Sequence, residues 1–422
     1  MSYDTRPRRY RFSLQGQSWF DWRAARRLRR QNQTQELYRC SRWDDLCLER
    51  IIDPENLLLA LEELERGGGV APGPDGISFR DLGKRQRGAF CRRVNQLIRE
   101  GIYRPGPARE VRVPKSKGGY RTLKIRNLID RTVSKALSTA LTPLLDTQMQ
   151  NCSFGFRPDR SLHQLLAECL RCLKQTNRTV ILTDDVQTAF DCVPLQQLME
   201  VLTQYIPNLP VLELTQILLQ GNEGGERTRG IDQGDPLSPL CLNVLLDHVL
   251  DRPFLTAFPD IPYWRYVDDL TCACQNVSEA HRVLQFIHTQ LHTLGMTLKG
   301  EQHPVPLRRQ GARVQLLGFQ LSFSDRQDPV LRISNRSWKK LRDALTELHS
   351  GIINPIRVED ICRGWIQAQG PALEVTQEEF TRTLHTLLHS LSQTGFRGMV
   401  SEAMLITEME RSKERWRTLA HP

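Results

Sequence analysis

The run Trp264-Arg265-Tyr266-Val267-Asp268-Asp269-Leu270-Thr271-Cys272-Ala273-Cys274 sets aromatic, β-branched and small apolar residues on both sides of two adjacent acids. Those flanks suit buried strands, whereas aspartate is a turn former and poor inside a strand, so the pattern predicts a β-hairpin with both acids at its turn. Side chains along a regular strand alternate between faces, and only a turn brings neighbouring carboxylates towards one spot. There they could share a divalent metal. Taken alone, the same residues also describe a solvated turn with incidental acids, and the rest of the chain has to decide.

A second acidic stretch lies upstream. Val180-Ile181-Leu182-Thr183-Asp184-Asp185 reads as a short buried strand that ends in acids and passes into a helix through Phe190 and Asp191. Carboxylates at the exit of an apolar strand sit on a rigid element, as metal ligands require. Between the two acidic sites, Arg229-Gly230-Ile231-Asp232-Gln233-Gly234-Asp235-Pro236 forms a glycine-rich loop leading into an apolar helix from Leu240 to about Leu250. Such a loop lets backbone approach a ligand closely. Further upstream, Arg109 to Ile125 reads as two strands around a Lys/Gly turn. Lys115 as a point charge and Arg121 as a bidentate fork could hold a triphosphate, although a basic hairpin is also an ordinary solvated edge.

Apolar periodicity predicts helices over 44–66, 81–100, 130–145, 161–173 and 278–294, and a strand pair around 314–321. From Trp338 the pattern is helical, at about 338–349, 357–369, 376–393 and 398–418, which marks a C-terminal α domain. A chain of 422 residues is long enough for two or three domains. Lysine and arginine outnumber the acids 58 to 48, and a net charge of +10 points to a polyanionic partner, nucleic acid first. Residues 1–30 hold nine arginines against two acids, interleaved with Tyr3, Tyr10, Phe12, Trp19, Phe20 and Trp22. That mixture suits RNA, and it equally suits a helix that packs its rings and solvates its cations.

Eleven scattered cysteines without a signal peptide read as reduced thiols of a cytoplasmic protein. The pairs Cys169/Cys172 and Cys272/Cys274 read as core rather than as a zinc site. No apolar run reaches the ~18 residues of a membrane span, so a soluble protein without a membrane partner is expected.

Nucleotidyl transfer uses two divalent ions about 3.5–4 Å apart to activate a 3′-hydroxyl and stabilise the leaving pyrophosphate. Mg2+ favours hard oxygen ligands and keeps several waters, so a few carboxylates plus substrate phosphates suffice. Asp185, Asp268 and Asp269 match that need. With its motifs in this order, the segment from about 73 to 321 resembles a bacterial reverse transcriptase, most closely the group II intron-like lineage. The residues that carry the resemblance are VPKSKGGYRTLKIRNLIDRTVSKAL (113–137), SFGFRPDRSLHQLL (153–166), DVQTAFD (185–191), QGDPLSPLCLN (233–243), YVDD (266–269) and LLGF (316–319).

The resemblance implies an α+β right-hand polymerase. A basic N-terminal extension (1–68) would precede fingers with the start of the palm (69–180), a palm built on an antiparallel, ferredoxin-like sheet (181–330), and an all-helical thumb with a C-terminal tail (331–422). It implies RNA-directed DNA synthesis, with Asp185, Asp268, Asp269 and the Val186 carbonyl holding two Mg2+ ions, or Mn2+ in their place. Lys115 and Arg121 would receive the triphosphate, Phe190 would exclude a 2′-hydroxyl, and Gln233 would contact nucleotide or template. Tyr266 would meet the primer end, and Gly234, Leu317 and Gly318 would contact primer or template. Asp184 and Asp191 read as structural or solvated acids.

The implied partners are an RNA template, a DNA primer or product, and dNTPs. In a stand-alone form resembling defence-associated reverse transcriptases, the template would be a structured non-coding RNA. A maturase-like RNA-binding protein, a domesticated intron, CRISPR-associated, retron-like or DNA-repair enzyme, and untemplated or protein-primed synthesis remain alternatives. About 85 helical C-terminal residues suit a thumb without the DNA-binding and endonuclease parts of a mobile intron protein, so autonomous mobility is not expected. Two departures stand out. Asp232 replaces the family's usual proline before Gln-Gly, with Asp235 adding a second acid to that loop, so template grip or nucleotide preference could differ. Gln302 replaces a lysine of the sixth motif, with Lys299 nearby.

Overall fold

The computed structural model describes residues 38–114, 119–222, 227–300, 303–350, 355–374 and 376–420. The arginine-rich segment 1–30, Lys115 and Gln302 lie outside the described residues. The chain divides into two units, each discontinuous in sequence. Described residues of the first fall within Met1–Lys115, Gly119–Met149 and Thr188–His248, and those of the second within Gln150–Gln187 and Val249–Pro422.

In the first unit the periodic stretch 44–66, expected as one helix, is interrupted. A 3-10 turn (Trp43–Asp45) and a single helical turn (Leu48–Ile51) precede the helix Pro54–Arg66. Pro54 has no amide hydrogen and drives Asp53 out of the helical region, so the helix restarts there. The Asp53 carboxylate then accepts the Glu55 amide at 2.9 Å and caps the new N-terminus. This helix packs on Leu128–Asp146 and on Lys84–Arg99, and it buries Leu57, Ala60 and Leu61. Strands β1 (Arg109–Pro114) and β2 (Tyr120–Ile125) pair antiparallel, with Val113 opposite Arg121.

The second unit holds two antiparallel sheets. One has the order β4-β5-β3-β6, from β3 (Val180–Asp185), β4 (Tyr263–Tyr266), β5 (Asp269–Cys274) and β6 (Val305–Pro306). The other runs β7 (Val314–Leu316), β8 (Phe319–Phe323) and β9 (Pro329–Ile333) in chain order. The expected pair around 314–321 is therefore two strands of three, and β9 precedes the first C-terminal helix, Asn335–Glu347. The helix Leu162–Gln175 begins in a capping box, Ser161 with Gln164. It buries Leu165, Leu166, Cys169 and Leu173 in one core with Ile181, Trp264, Ala273, Leu316, Phe319 and Leu331. Trp416 and Ala420 of the last helix, Glu402–Ala420, enter that same core. Leu405 and Met409 of this helix pack instead in the core of the C-terminal helices, with Leu345, Cys362, Ile366 and Leu387. All eleven cysteines are free thiols. Among the described residues, no helix is long and apolar enough to cross a membrane.

One buried charge in the first unit gives the fold a pH signature. Asp130 lies in the first turn of Leu128–Asp146, where it accepts hydrogen bonds from Tyr103 Oη at 2.7 Å and from the Gly106 amide at 3.1 Å. Burial pushes its carboxyl from the ordinary 3.8 up to about 6, against the pull of those bonds and of Arg126. The folded chain keeps this proton at pH values where the unfolded chain has released it, so the stability that Asp130 contributes falls as pH rises from 3.8 to about 6. Asp130→Asn removes the titrating group. Urea midpoints measured across that window are expected to move in favour of the variant, relative to wild type, as pH rises. A difference that stays flat with pH rejects the assignment.

Candidate active site

Tyr266 of β4 pairs with Asp269 of β5, which leaves Val267-Asp268 as a two-residue turn. On its other side β5 pairs with β3 in a register that sets Asp185 opposite Asp269. Directly opposed residues of antiparallel strands share a face, so these two carboxylates lie on one side of the sheet with Asp268 on the adjoining turn. The Val186 amide donates to the Asp268 carbonyl at 3.0 Å and ties the end of β3 to the turn. Next in chain, Val186 bridges Leu298 and the Lys299 amide donates to the Asp185 carbonyl at 3.0 Å. The Lys299 ammonium is ion-paired with the Asp185 carboxylate. Asp184 is turned to structural use: its carboxylate accepts the amides of Asp185 at 2.8 Å and Gly300 at 3.1 Å.

The turn is strained. Val267 has φ +61°, a left-handed conformation that is a true outlier for a β-branched residue. In a two-residue hairpin with positive φ at its first position only, that position ordinarily favours glycine. Such a conformation costs on the order of 1–3 kcal/mol and persists only where surrounding contacts over-determine it. Two do so here. Arg265, with no exposed surface, donates from Nη1 to the Val267 carbonyl at 2.9 Å while its other nitrogens fork onto Asp251, Nε to Oδ1 at 2.9 Å and Nη2 to Oδ2 at 2.6 Å. Gly155 presses on the same residue: a Cβ there would stand 2.4 Å from Val267 Cγ2 and 2.7 Å from Val267 N. The segment that carries Gly155 lies against β4, with the Arg265 amide donating to the Cys152 carbonyl at 2.8 Å and the Phe154 amide to the Arg265 carbonyl at 2.9 Å.

Tyr266 is half-buried and packs against the core, and burial with the Asp269 charge pushes its phenol up. Leu317 and Gly318 are the two turn residues between β7 and β8, with φ of +48° and +95°. Positive φ at both positions is the hairpin pattern that matches strand twist. Ser334 Oγ donates to the Gly318 carbonyl at 2.6 Å and holds this turn to the start of the C-terminal helices.

The first unit carries the remaining candidates. Arg121 is exposed on β2. Phe190 lies in the short helix Ala189–Cys192, and its carbonyl accepts the Ile231 amide at 2.8 Å. Gln233 is half-buried, with its carbonyl bound by the Lys124 amide at 3.1 Å and its side chain 3.5 Å from Asp191 Oδ2. Gly234 is exposed at φ +104°. Asp232, the departure expected to bear on template grip or nucleotide preference, is buried. Arg126 Nε meets its Oδ2 at 2.5 Å and Arg227 Nη1 its Oδ1 at 2.7 Å.

With this geometry in place, comparison with known proteins is decisive for the central segment. Residues 113–321 match the family described as reverse transcriptase (RNA-dependent DNA polymerase). This segment is a reverse transcriptase domain. YkfC of Escherichia coli is 32% identical over 232 residues, covering 51% of this chain and 60% of YkfC. The group II intron-encoded protein LtrA of Lactococcus lactis subsp. cremoris is 25% identical over 167 residues, covering 38% of this chain and 27% of LtrA. The match thus spans less than two thirds of either relative. Among solved structures, the Sicinivirus 3Dpol RNA-dependent RNA polymerase is similar with a TM-score of 0.49 and 14% identity, over 79% of this chain and 72% of that one.

The acids of the reverse transcriptase domain are hard oxygen donors, the chemistry that a divalent cation such as Mg2+ takes. Burial pushes the Asp268 carboxyl up against its own backbone amide and the distant Arg265, a penalty that a dication would offset. Lys299 puts a positive charge on Asp185, where a metal's charge would be needed. Among the described residues no three acidic, histidine or cysteine side chains stand together as a group that could hold a metal ion. Mg2+ does not require a complete protein cage, because waters and substrate phosphates complete its shell.

Arg265, Asp251 and Gly155 were not singled out from sequence. Arg265 had a signal, since a cation in the otherwise apolar β4 needs a buried partner, but nothing local names Asp251 as that partner. Gly155→Ala is expected to lower stability by about 1–3 kcal/mol through overpacking. Urea denaturation checks that value, and a variant as stable as wild type rejects the close packing.

Proposed function

We propose that this chain is an RNA-directed DNA polymerase that copies RNA into cDNA by two-metal nucleotidyl transfer. The observation that carries the reading is the β3–β5 register, with Asp185 opposite Asp269 and Asp268 on the adjoining turn, inside a reverse transcriptase domain. Asp185, Asp268 and Asp269, with the Val186 carbonyl, are the groups that would hold two Mg2+ ions, or Mn2+. When bound, the ions activate the primer 3′-hydroxyl and stabilise the leaving pyrophosphate.

The chain's own residues do the rest by position and charge, as phosphoryl transfer requires little covalent help from protein. Lys115 and Arg121 receive the triphosphate, and Phe190 excludes a 2′-hydroxyl. Gln233 and Gly234 contact nucleotide or template, while Tyr266, Leu317 and Gly318 contact the primer side. In polymerase terms, 69–180 serve as fingers, 181–330 as palm and 331–422 as thumb, with 1–68 as a basic extension for RNA. The net charge of +10 supports a nucleic-acid substrate. The biological role we propose is anti-phage defence, with a structured non-coding RNA as template, on the strength of the family resemblance.

Primer extension on a primed RNA template with dNTPs tests the activity. The Asp268→Ala/Asp269→Ala double variant is expected to lose at least about a thousandfold in incorporation, and equal incorporation by wild type and variant would sink the reading. For the defence role, expressing the wild-type chain from its locus is expected to reduce plaque formation, with the same double variant losing protection. Protection that survives the substitution assigns the role to RNA binding instead.

A further inference from the structure

The glycine-rich loop between Arg229 and Pro236 is clamped by buried charge that polymerase chemistry does not itself require. Arg126, 4% exposed at its side chain, sits just beyond β2 and donates from Nη1 to the Leu218 carbonyl at 2.5 Å while Nε pairs with Asp232. Arg227 bridges in the same way, with Nη1 2.7 Å from Asp232 Oδ1 and 3.5 Å from the Leu219 carbonyl. Both guanidinium groups therefore fasten Asp232 to the C-terminal end of the helix Leu209–Gln220, where carbonyls lack helical donors. Lys124 Nζ adds a third cation, 3.8 Å from Asp232 Oδ1.

Asp235 holds the loop on its other side. Its carboxylate accepts from Ser134 Oγ of the helix Leu128–Asp146 and from the Leu237 amide at 2.9 Å, with Arg126 Nε 3.9 Å away. Ser138 Oγ of the same helix donates to the Pro236 carbonyl at 3.0 Å. Between these anchors the backbone makes three further bonds: Gly230 N–H to the Val193 carbonyl at 2.7 Å, Ile231 N–H to the Phe190 carbonyl at 2.8 Å, and Lys124 N–H to the Gln233 carbonyl at 3.1 Å. The clamp thus acts on two of the residues of this unit read as facing the nucleotide, Phe190 and Gln233.

Buried ion clusters are poor sources of stability, because desolvation takes back most of the Coulombic gain and apolar packing of the same volume often does as well. Their best-attested use is to fix one arrangement among several. We propose that the Arg126–Asp232–Asp235 cluster is the positioning device that fixes Phe190 and Gln233, and thereby sets dNTP affinity and the exclusion of ribonucleotides. The proposal rests on the reading of those two residues given above. Arg126, Asp232 and Asp235 touch no substrate and act through the loop.

The test uses the full chain with Arg126→Gln, Arg126→Lys, Asp232→Asn and the double variant R126Q/D232N. Arg131→Gln serves as a control, because Arg131 is a buried cation of the same unit that donates to the Gly69 and Ala71 carbonyls instead. Amide hydrogen exchange at 230–235 reads loop order without any need for activity. Primer extension with dTTP and with UTP on a primed poly(rA) template reads KM, kcat and sugar discrimination. R126Q and D232N are each expected to speed exchange at Gly230 and Ile231, to raise the dTTP KM by about tenfold and to narrow the dTTP/UTP ratio by a similar factor, with kcat changed far less. R126K, which keeps the charge but not the fork, should fall between wild type and R126Q. The double variant should be no worse than the worse single one, since both remove the same interaction.

Unchanged exchange at 230–235 in R126Q overturns the proposal. So do multiplicative effects in the double variant, or an equal loss of discrimination in R131Q, which would mark general destabilisation. A wild-type chain that fails to extend the primer removes the nucleotide reading and the selection half with it, and the exchange measurement then decides the positioning half by itself.

Discussion

The acid-bearing hairpin depends on one ion pair that is wholly out of water. Arg265 and Asp251 have no exposed side-chain surface, and their fork closes with Nε–Oδ1 and Nη2–Oδ2 contacts of 2.9 and 2.6 Å. Burial alone would push the Arg265 guanidinium down, but the Asp251 charge and hydrogen bonds outweigh it and hold the proton firmly. Tyr263 Oη donates to the same carboxylate at 2.9 Å, so its lone pairs are well used. Removing one partner of such a pair leaves a buried charge uncompensated, at about 3–5 kcal/mol. What the pair maintains is the Val267 carbonyl, hence the left-handed Val267, and hence the direction in which Asp268 leaves the sheet.

From that turn outward, the rest follows from strand pairing. A slip of one residue between β3 and β5 would send Asp185 to the opposite face from Asp269. The pairing of Ile181 with Ala273 inside one packed core holds this register. The same hydrophobic core that stabilises the second unit therefore also sets the spacing of the carboxylates. Val267, with Gly155 against it, puts backbone strain at the turn that carries Asp268.

The first unit solves a similar problem differently. Its loop from Arg229 to Pro236 has few large apolar side chains with which to anchor itself, and it is held by Arg126, Arg227 and Ser134 on two acids. Burial pushes the Asp232 carboxyl up, yet the two guanidinium groups hold it below the usual carboxylate range, whereas for Asp235 burial prevails and the carboxyl is raised. Two acids three residues apart thus have opposite electrostatic fates, decided by how many cations each one faces.

The elements that could be read along the chain are those whose signals are local. Turn-forming aspartates inside a β-branched and aromatic run mark the hairpin at 266–269, and the apolar run from Val180 marks β3, because turn chemistry and side-chain alternation act within a few residues. The interruption at Asp53-Pro54 was equally local, and apolar periodicity across 44–66 masked it. β9 was harder to see, since Pro329–Ile333 is a strand by virtue of its partner β8. Trp416 and Ala420 likewise join a core whose other members lie up to about 260 positions earlier. By itself, the sequence determined where the acids of the hairpin and of β3 stand and which of the strongly periodic segments are helical, while the helices Leu195–Tyr205 and Leu209–Gln220 were not read from it. Only the tertiary structure decided that Asp232 is buried and paired with Arg126, and that Arg265 holds the hairpin through Asp251. Burial and ion pairing depend on which distant segments meet, and residue spacing along the chain does not carry that information.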